Sequence, residues 1–493
     1  MRTHRRSWMT AALATLAWAT FPEAQAADRA FRAGAAAVDV TPFLDDPIVG
    51  NYVAPPAAHV HDPLHARALV LDDGSTRLAF VLVDSVGITR EVLDAARKLA
   101  AEKAGLPPGN ILAAATHTHS ATRGGSKEFL KPDAVPSEYA RILSRRIADA
   151  IRLAAGNLAP AKVGWGTVDA PEHLFNRRWL LKAGETVPNP FGGLDRAVMN
   201  PGRHPKIHEP AGPTDPQVAF LAVQAPDGRP IALLANYSLH YVGGVPAGHV
   251  SADYFAVFAR KVGERLGVDP LRDPPFVGVL SNGTSGDVNN IDVQGPPPAT
   301  PPGPYEQMDR VADDLANRVA GTYRGVAFRD WVPLAAAHRE LVLKARRPTP
   351  EQLDYARKIL AKPEDAPRAH GLERIYAERT LALADAPDEV SIMLQAFRVG
   401  DLGIAAIPFE VFTEIGLEIK AKSPFKPTFT IELANGLYGY LPSPRHFAIG
   451  GYETWMGTNF VEPEASPKIV ATLLDLFAAL DAGRTPASRA PAP

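Results

Sequence analysis

Five times along this chain, a short apolar run passes directly into a cluster of side chains able to do chemistry. Residues 111–115 lead into Thr116-His117-Thr118-His119-Ser120, and residues 231–237 into Ser238-Leu239-His240. Residues 276–280 lead into a segment from Ser281 to Asp287, and residues 404–407 into Pro408-Phe409-Glu410. Residues 428–433 lead into a segment from Asn435 to Tyr440. Apolar runs of this length predict buried strands, as do 78–83 and 218–223. Between them, residues 91–104 and 137–155 carry apolar positions at helical spacing. The alternation predicts an α/β fold, a mixed β-sheet layered with helices, with an active site at the carboxyl ends of strands. No internal repeat is expected from the sequence.

What the chain lacks narrows that chemistry. It has no cysteine, so thiolate metal sites, disulfides and cysteine nucleophiles are excluded. Any metal must be held by the 14 histidines, by carboxylates or by tyrosines. The net charge is −2 with no basic run, which argues against a nucleic-acid partner. Arg2, Arg5 and Arg6, an apolar run over residues 8–21 and then Ala24-Gln25-Ala26 predict an export signal over residues 1–26. Arg5-Arg6 also matches part of a twin-arginine signal. No later run is long enough for a transmembrane segment, so an exported, periplasmic or secreted protein is expected.

The catalytic domain is expected over residues 27–480. Residues 188–212 and 294–304, rich in Pro and Gly, read as long loops. Residues 349–385 read as a charged helical surface insertion, and residues 481–493 as a disordered tail.

His117 and His119 lie two apart after a strand, a spacing that turns both imidazoles to one face and suits a metal. Taken alone, His240 reads equally as a core histidine, Tyr440 as a core aromatic and Glu410 as a helix N-terminal charge. A carboxylate at the edge of a buried strand is nevertheless costly unless it is paired or metal-bound.

In combination and order, the THTHS, strand-end His, SNGTSGDV, PFEVF and NGLYGY segments resemble the neutral, non-lysosomal ceramidases. The resemblance begins at GAAAVDVTP, residues 34–42, passes through Val83-Asp84-Ser85 and runs to about Phe460. It implies a catalytic Zn2+ held by His117, His240, Glu410 and Tyr440, with His119, Arg177 and Tyr452 as catalytic residues. It also implies hydrolysis of the amide of an N-acyl substrate, ceramide or a related lipid foremost, by zinc-bound water.

Two departures qualify it. The serine that follows the family's GDV is here Asn289, which excludes a covalent serine route at that position and leaves Asn289 as a substrate-binding residue. The family's C-terminal β-sandwich domain is not expected here. Three other readings stay open: an ester or small soluble amide as substrate, a metal-retaining binding protein without turnover, and an HxH amidohydrolase barrel using Asp287.

Overall fold

In the computed structural model, which describes residues 30–483 apart from 51, 127–129, 131–134 and 298–299, one order of elements is used three times. Strands β1 (Arg32–Asp39), β2 (His65–Asp72) and β3 (Arg77–Val83) form an antiparallel meander. Helix α1 (Arg90–Ala104) then crosses back, β4 (Ile111–Ala115) pairs parallel with β3, and α2 (Glu138–Gly156) follows. The second unit repeats this with β5 (Lys162–Asp169), β6 (Gln217–Gln224), β7 (Pro230–Tyr237), α3 (Asp253–Leu266), β8 (Val277–Asn282) and α4 (Glu306–Tyr323). The third begins with β9 (Leu334–Lys344), then carries two extra helices, α5 (Pro350–Leu360) and α6 (Glu373–Ala382). It resumes with β10 (Glu389–Val399), β11 (Leu402–Ala406), α7 (Thr413–Lys422), β12 (Thr428–Ile431) and α8 (Ala465–Ala482). The expectation of no internal repeat is therefore corrected: the repeat is one of topology, without a matching sequence period.

The predicted α/β layering is what burial dictates. Phe80, Leu82 and Leu112 point to one side of the first sheet, while Ala79, Val81 and Ala113 point to the other. The first side joins a core shared with Leu221, Leu234 and Val279 of the second sheet and with Phe397, Ile404 and Phe429 of the third. Phe80 and Phe397 meet there edge to face, 5.2 Å apart. The outer side of each sheet is covered by the helices of its own unit. Three sheets thus stand as walls around one core, which is why their central strands are apolar on both faces. The described residues hold no β-sandwich beyond these sheets.

Strand direction fixes where a site can form. In each unit the first, third and fourth strands run the same way. The connection from first to second strand therefore emerges at the same end as the carboxyl ends of the third and fourth. Those connections, residues 40–64, 170–216 and 345–388, are long in all three units. The loop expected at 188–212 lies in the second of them and is partly strand, with Ala197–Met199 and Ile207–Pro210 flanking Arg178–Leu181. The expected surface insertion is the third, and it is not wholly on the surface, because Tyr376 is fully buried.

Helix α8 continues to Ala482, two residues into the expected tail. Residues 484–493 of the tail and the expected export signal lie outside the described residues. No helix among the described residues is long and apolar enough to cross a membrane.

Candidate metal centre and active site

Strand β4 ends where Thr116 N donates to Val83 O and His117 N to Ser85 O, both at 2.9 Å. His117 then takes a φ of +72°, a conformation costing ~1–3 kcal/mol for a residue with a Cβ and commonest at functional sites. The turn brings its Nδ1 to 2.6 Å from Val86 O. A carbonyl can only accept, so Nδ1 carries the proton and Nε2 the lone pair. His240, beyond the end of β7, is fixed likewise, its Nδ1 3.1 Å from Ser285 O. The two Nε2 atoms lie 3.0 Å apart, and His119 Nε2 lies 3.1 Å from that of His117.

Three imidazoles are thus gathered with all their metal-ligating atoms within 4.8 Å of one another. Burial first, then the closeness of His117 and Arg177, holds His240 and His119 well below the ordinary imidazole pKa. Lone pairs converging this closely repel one another unless a cation lies between them, so the donor set fits a divalent metal.

Glu410 completes the cluster from the third unit. Its Oε2 is buried without a hydrogen-bond partner, 3.3 Å from His117 Nε2 and 3.7 Å from His240 Nε2. Tyr440 is its direct partner in a short parallel pairing, and burial together with the Glu410 charge pushes the phenol well above its ordinary pKa. Close backbone approach holds the arrangement: a Cβ on Gly286 would stand 2.6 Å from Glu410 O. Of the four residues expected as ligands, His117, His240 and Glu410 come together here, and Tyr440 pairs with Glu410 along the backbone. His119, expected beside them, lies close enough to serve as a third imidazole ligand or as a proton carrier.

One residue ties these loops together that sequence reasoning did not single out. Glu432, fully buried, accepts from Ser285 Oγ at 2.6 Å and from Val411 N at 2.7 Å. It thereby fixes the backbone beside both His240 and Glu410. Metal ligands commonly depend on such outer partners. An acid one residue before the end of a strand-like apolar run was the available signal.

No family model matches the chain. Its fold does match solved structures. Over 94% of its length it aligns with the neutral ceramidase from Pseudomonas aeruginosa, at TM-score 0.65 and 19% identity, covering 77% of that chain. A structure described as ceramidase complexed with C2 aligns over the same shares, at TM-score 0.65 and 16% identity. At these identities the likeness is one of fold.

The remaining expected residues differ in what holds them. Tyr452 stands edge-on to Tyr440, ring centroids 5.7 Å apart. Arg177 lies 5.3 Å from the Tyr440 ring and gives its Nε to Glu453 at 2.9 Å. Asn289 is committed within the protein, its Nδ2 donating to Asn200 Oδ1 at 2.6 Å and its Oδ1 accepting from Ile291 N at 3.0 Å. Asp287, the residue a barrel reading would need, accepts from Thr413 N and Asn176 Nδ2, both at 2.8 Å. Asn435 belongs to the scaffold, donating to Gln395 Oε1 at 2.8 Å and accepting from Arg97. Tyr241, unremarked in the sequence, stacks on His119 at 3.8 Å.

Proposed function

We propose that this chain is an exported zinc-dependent hydrolase of N-acyl amides, with ceramide-like lipids among the substrates to be tried first. The observation that carries the reading is the cluster of three imidazoles, two of which, His117 and His240, face the unpartnered Oε2 of Glu410. The fold likeness to solved ceramidases supports it, as does the Arg-rich, apolar start of the sequence for export. His117, His240, Glu410 and Tyr440 would hold the ion. A zinc there supplies a water acidified to near neutral pH and a Lewis acid for the amide carbonyl.

The chain's own residues do the rest. His119, kept neutral by burial, takes the proton of the attacking water on Nε2 and passes it to the amine nitrogen as the C–N bond breaks. Burial, then Tyr52 and Glu410, pushes the Tyr452 hydroxyl well above its ordinary pKa. It therefore remains an O–H donor, placed to meet the carbonyl oxygen as negative charge gathers there. Arg177 braces Tyr440 from one side while Glu453 holds its guanidinium in place. Asn289, with one amide hydrogen held by Asn200 Oδ1, keeps its second N–H for the substrate.

The test is metal analysis of the purified chain combined with hydrolysis of N-acyl amides of graded acyl length. About one zinc per chain and turnover of at least one amide are expected. Tyr452→Phe should keep its zinc and lose ~10²–10³ in kcat. A zinc-replete chain that turns over no amide would refute the reading.

A further inference from the structure

The roof of the site contains a positive charge that the reaction as described leaves unused. Arg379, on α6 in the inserted third connection, is half-buried, and its Nη1 donates to Gly457 O at 3.2 Å. It forms no ion pair among the described residues. Its neighbours differ in this respect: Arg374 faces Glu378, and Arg177 and Arg178 share Glu453. A guanidinium offers five N–H donors in a planar fork that matches a carboxylate.

The position of Arg379 relates it to the metal centre. An aromatic wall leads there from the expected ligand Tyr440, through Tyr452 at 5.7 Å, Trp455 a further 5.8 Å on, and Tyr376 another 5.1 Å. Arg379 lies over Tyr376, 5.0 Å from its centroid, and 5.7 Å from that of Tyr52 on the far side. Tyr52 comes from the first unit's connection, where a Cβ on Gly50 would stand 2.7 Å from His119 Cγ. Tyr52 and Arg379 therefore approach the site from two units and meet above it. The charge of Arg379 is felt at the Tyr452 hydroxyl, against the effect of burial. Cation–π contact orients the guanidinium without neutralising it.

We propose that Arg379 forms an anion subsite and that the amide substrates of this chain carry a carboxylate or comparable monoanion near the scissile bond, as N-acyl amino acids do. The amine-side portion of the substrate would lie along the aromatic wall, so that its anion meets Arg379, and the acyl chain would leave the amide in the other direction. This deepens the amidase reading of the same site and rests on it.

Two compounds of equal chain length separate the possibilities: N-lauroylglycine, an acid, and N-lauroylglycinamide, its neutral counterpart. On the zinc-loaded full chain, kcat/KM should favour the acid by about tenfold, as one well-placed charged contact allows. In Arg379→Met that ratio should fall to about one, and Arg379→Lys should restore part of it. A ratio near one in the wild type, or a ratio unchanged in Arg379→Met, overturns the subsite while leaving the amidase reading intact. If neither compound is hydrolysed, the amidase reading fails for this class. The same ratio is then read from equilibrium binding of the two compounds by calorimetry, where equal affinities overturn the subsite.

Discussion

Asp84 and Glu410 each follow the third strand of their unit, at the same end of the three-walled core, and both are buried. Asp84 meets Arg67 of the neighbouring strand, Nη1 to Oδ2 at 2.5 Å, and accepts from His65 N at 2.9 Å. Arg177 and Arg123 lie near enough to Glu410 for their charges to act on it, but its Oε2 receives no hydrogen bond from either. Its Oε2 looks instead at imidazole nitrogens whose protons are turned away. The second unit shows a third solution. Asp253, at the start of α3, accepts from Val242 N at 3.0 Å, Gly243 N at 2.8 Å and Tyr254 N at 2.6 Å, and so ties down the loop just after His240. A buried carboxylate has to be met by a cation or by hydrogen bonds. What meets it separates a brace from a metal ligand, even when the topology around it is the same.

The comparison breaks most plainly at Glu410. Glu410→Gln keeps the shape and removes the charge, so zinc should fall from about one per chain to well under half, with amide hydrolysis lost alongside it. The denaturant midpoint of the metal-free chain should hardly move. Metal retention in this variant, read by plasma emission on desalted protein, would remove Glu410 from the ligand set.

Arg67→Met is the mirror case. It leaves Asp84 buried without its cation and should cost ~3–5 kcal/mol of stability in denaturant titration, while the folded fraction retains its zinc. A variant that loses zinc and keeps its stability would mean that the two carboxylates are not divided in this way.

How much of this was legible in the sequence depended on what each strand faces. β3, β4 and β7 were readable to within a residue or so, because helices cover one face and the shared core the other, leaving uninterrupted apolar runs. β9 was not, since much of it is exposed and carries Arg339 and Glu340 in its middle. β1 was missed for another reason. It is rich in small residues because α2 lies against it, where a Cβ on Gly34 would stand 2.3 Å from Ala154 O.

The centre itself was legible as polar clusters following strands, since His117, His240 and Glu410 each come within four residues of a strand's end and Tyr440 lies further along such a cluster. The roof was not. Tyr52 and Arg379 come from connections whose convergence depends on the threefold topology, and Arg379 sits in a charged segment that reads as solvent-facing. Glu432 was hidden within a predicted strand, where nothing local indicates that it braces two other loops.

The smallest expected effect sharpens the middle term of the comparison. Burial pushes the Asp253 carboxyl up to about 6 from an ordinary 3.8, and its three backbone N–H partners only partly oppose that shift. The folded chain then binds this proton more tightly than the unfolded chain does. The resulting stabilisation is complete below pH ~4, is lost as pH rises through ~6, and changes little above that. A shift of this size corresponds to at most ~3 kcal/mol across the window. Asp253→Asn cannot ionise, so the stability of wild type minus that of variant should decline from pH 4 to pH 7. Both chains are kept metal-free by chelator, so that protonation of the metal ligands affects them alike. The sign is the informative part. A difference that stays flat would mean that three backbone N–H groups suffice to hold the charge. Asp253 would then, like Asp84, be held from within the chain, and Glu410 would remain the one of the three whose partner must come from outside it.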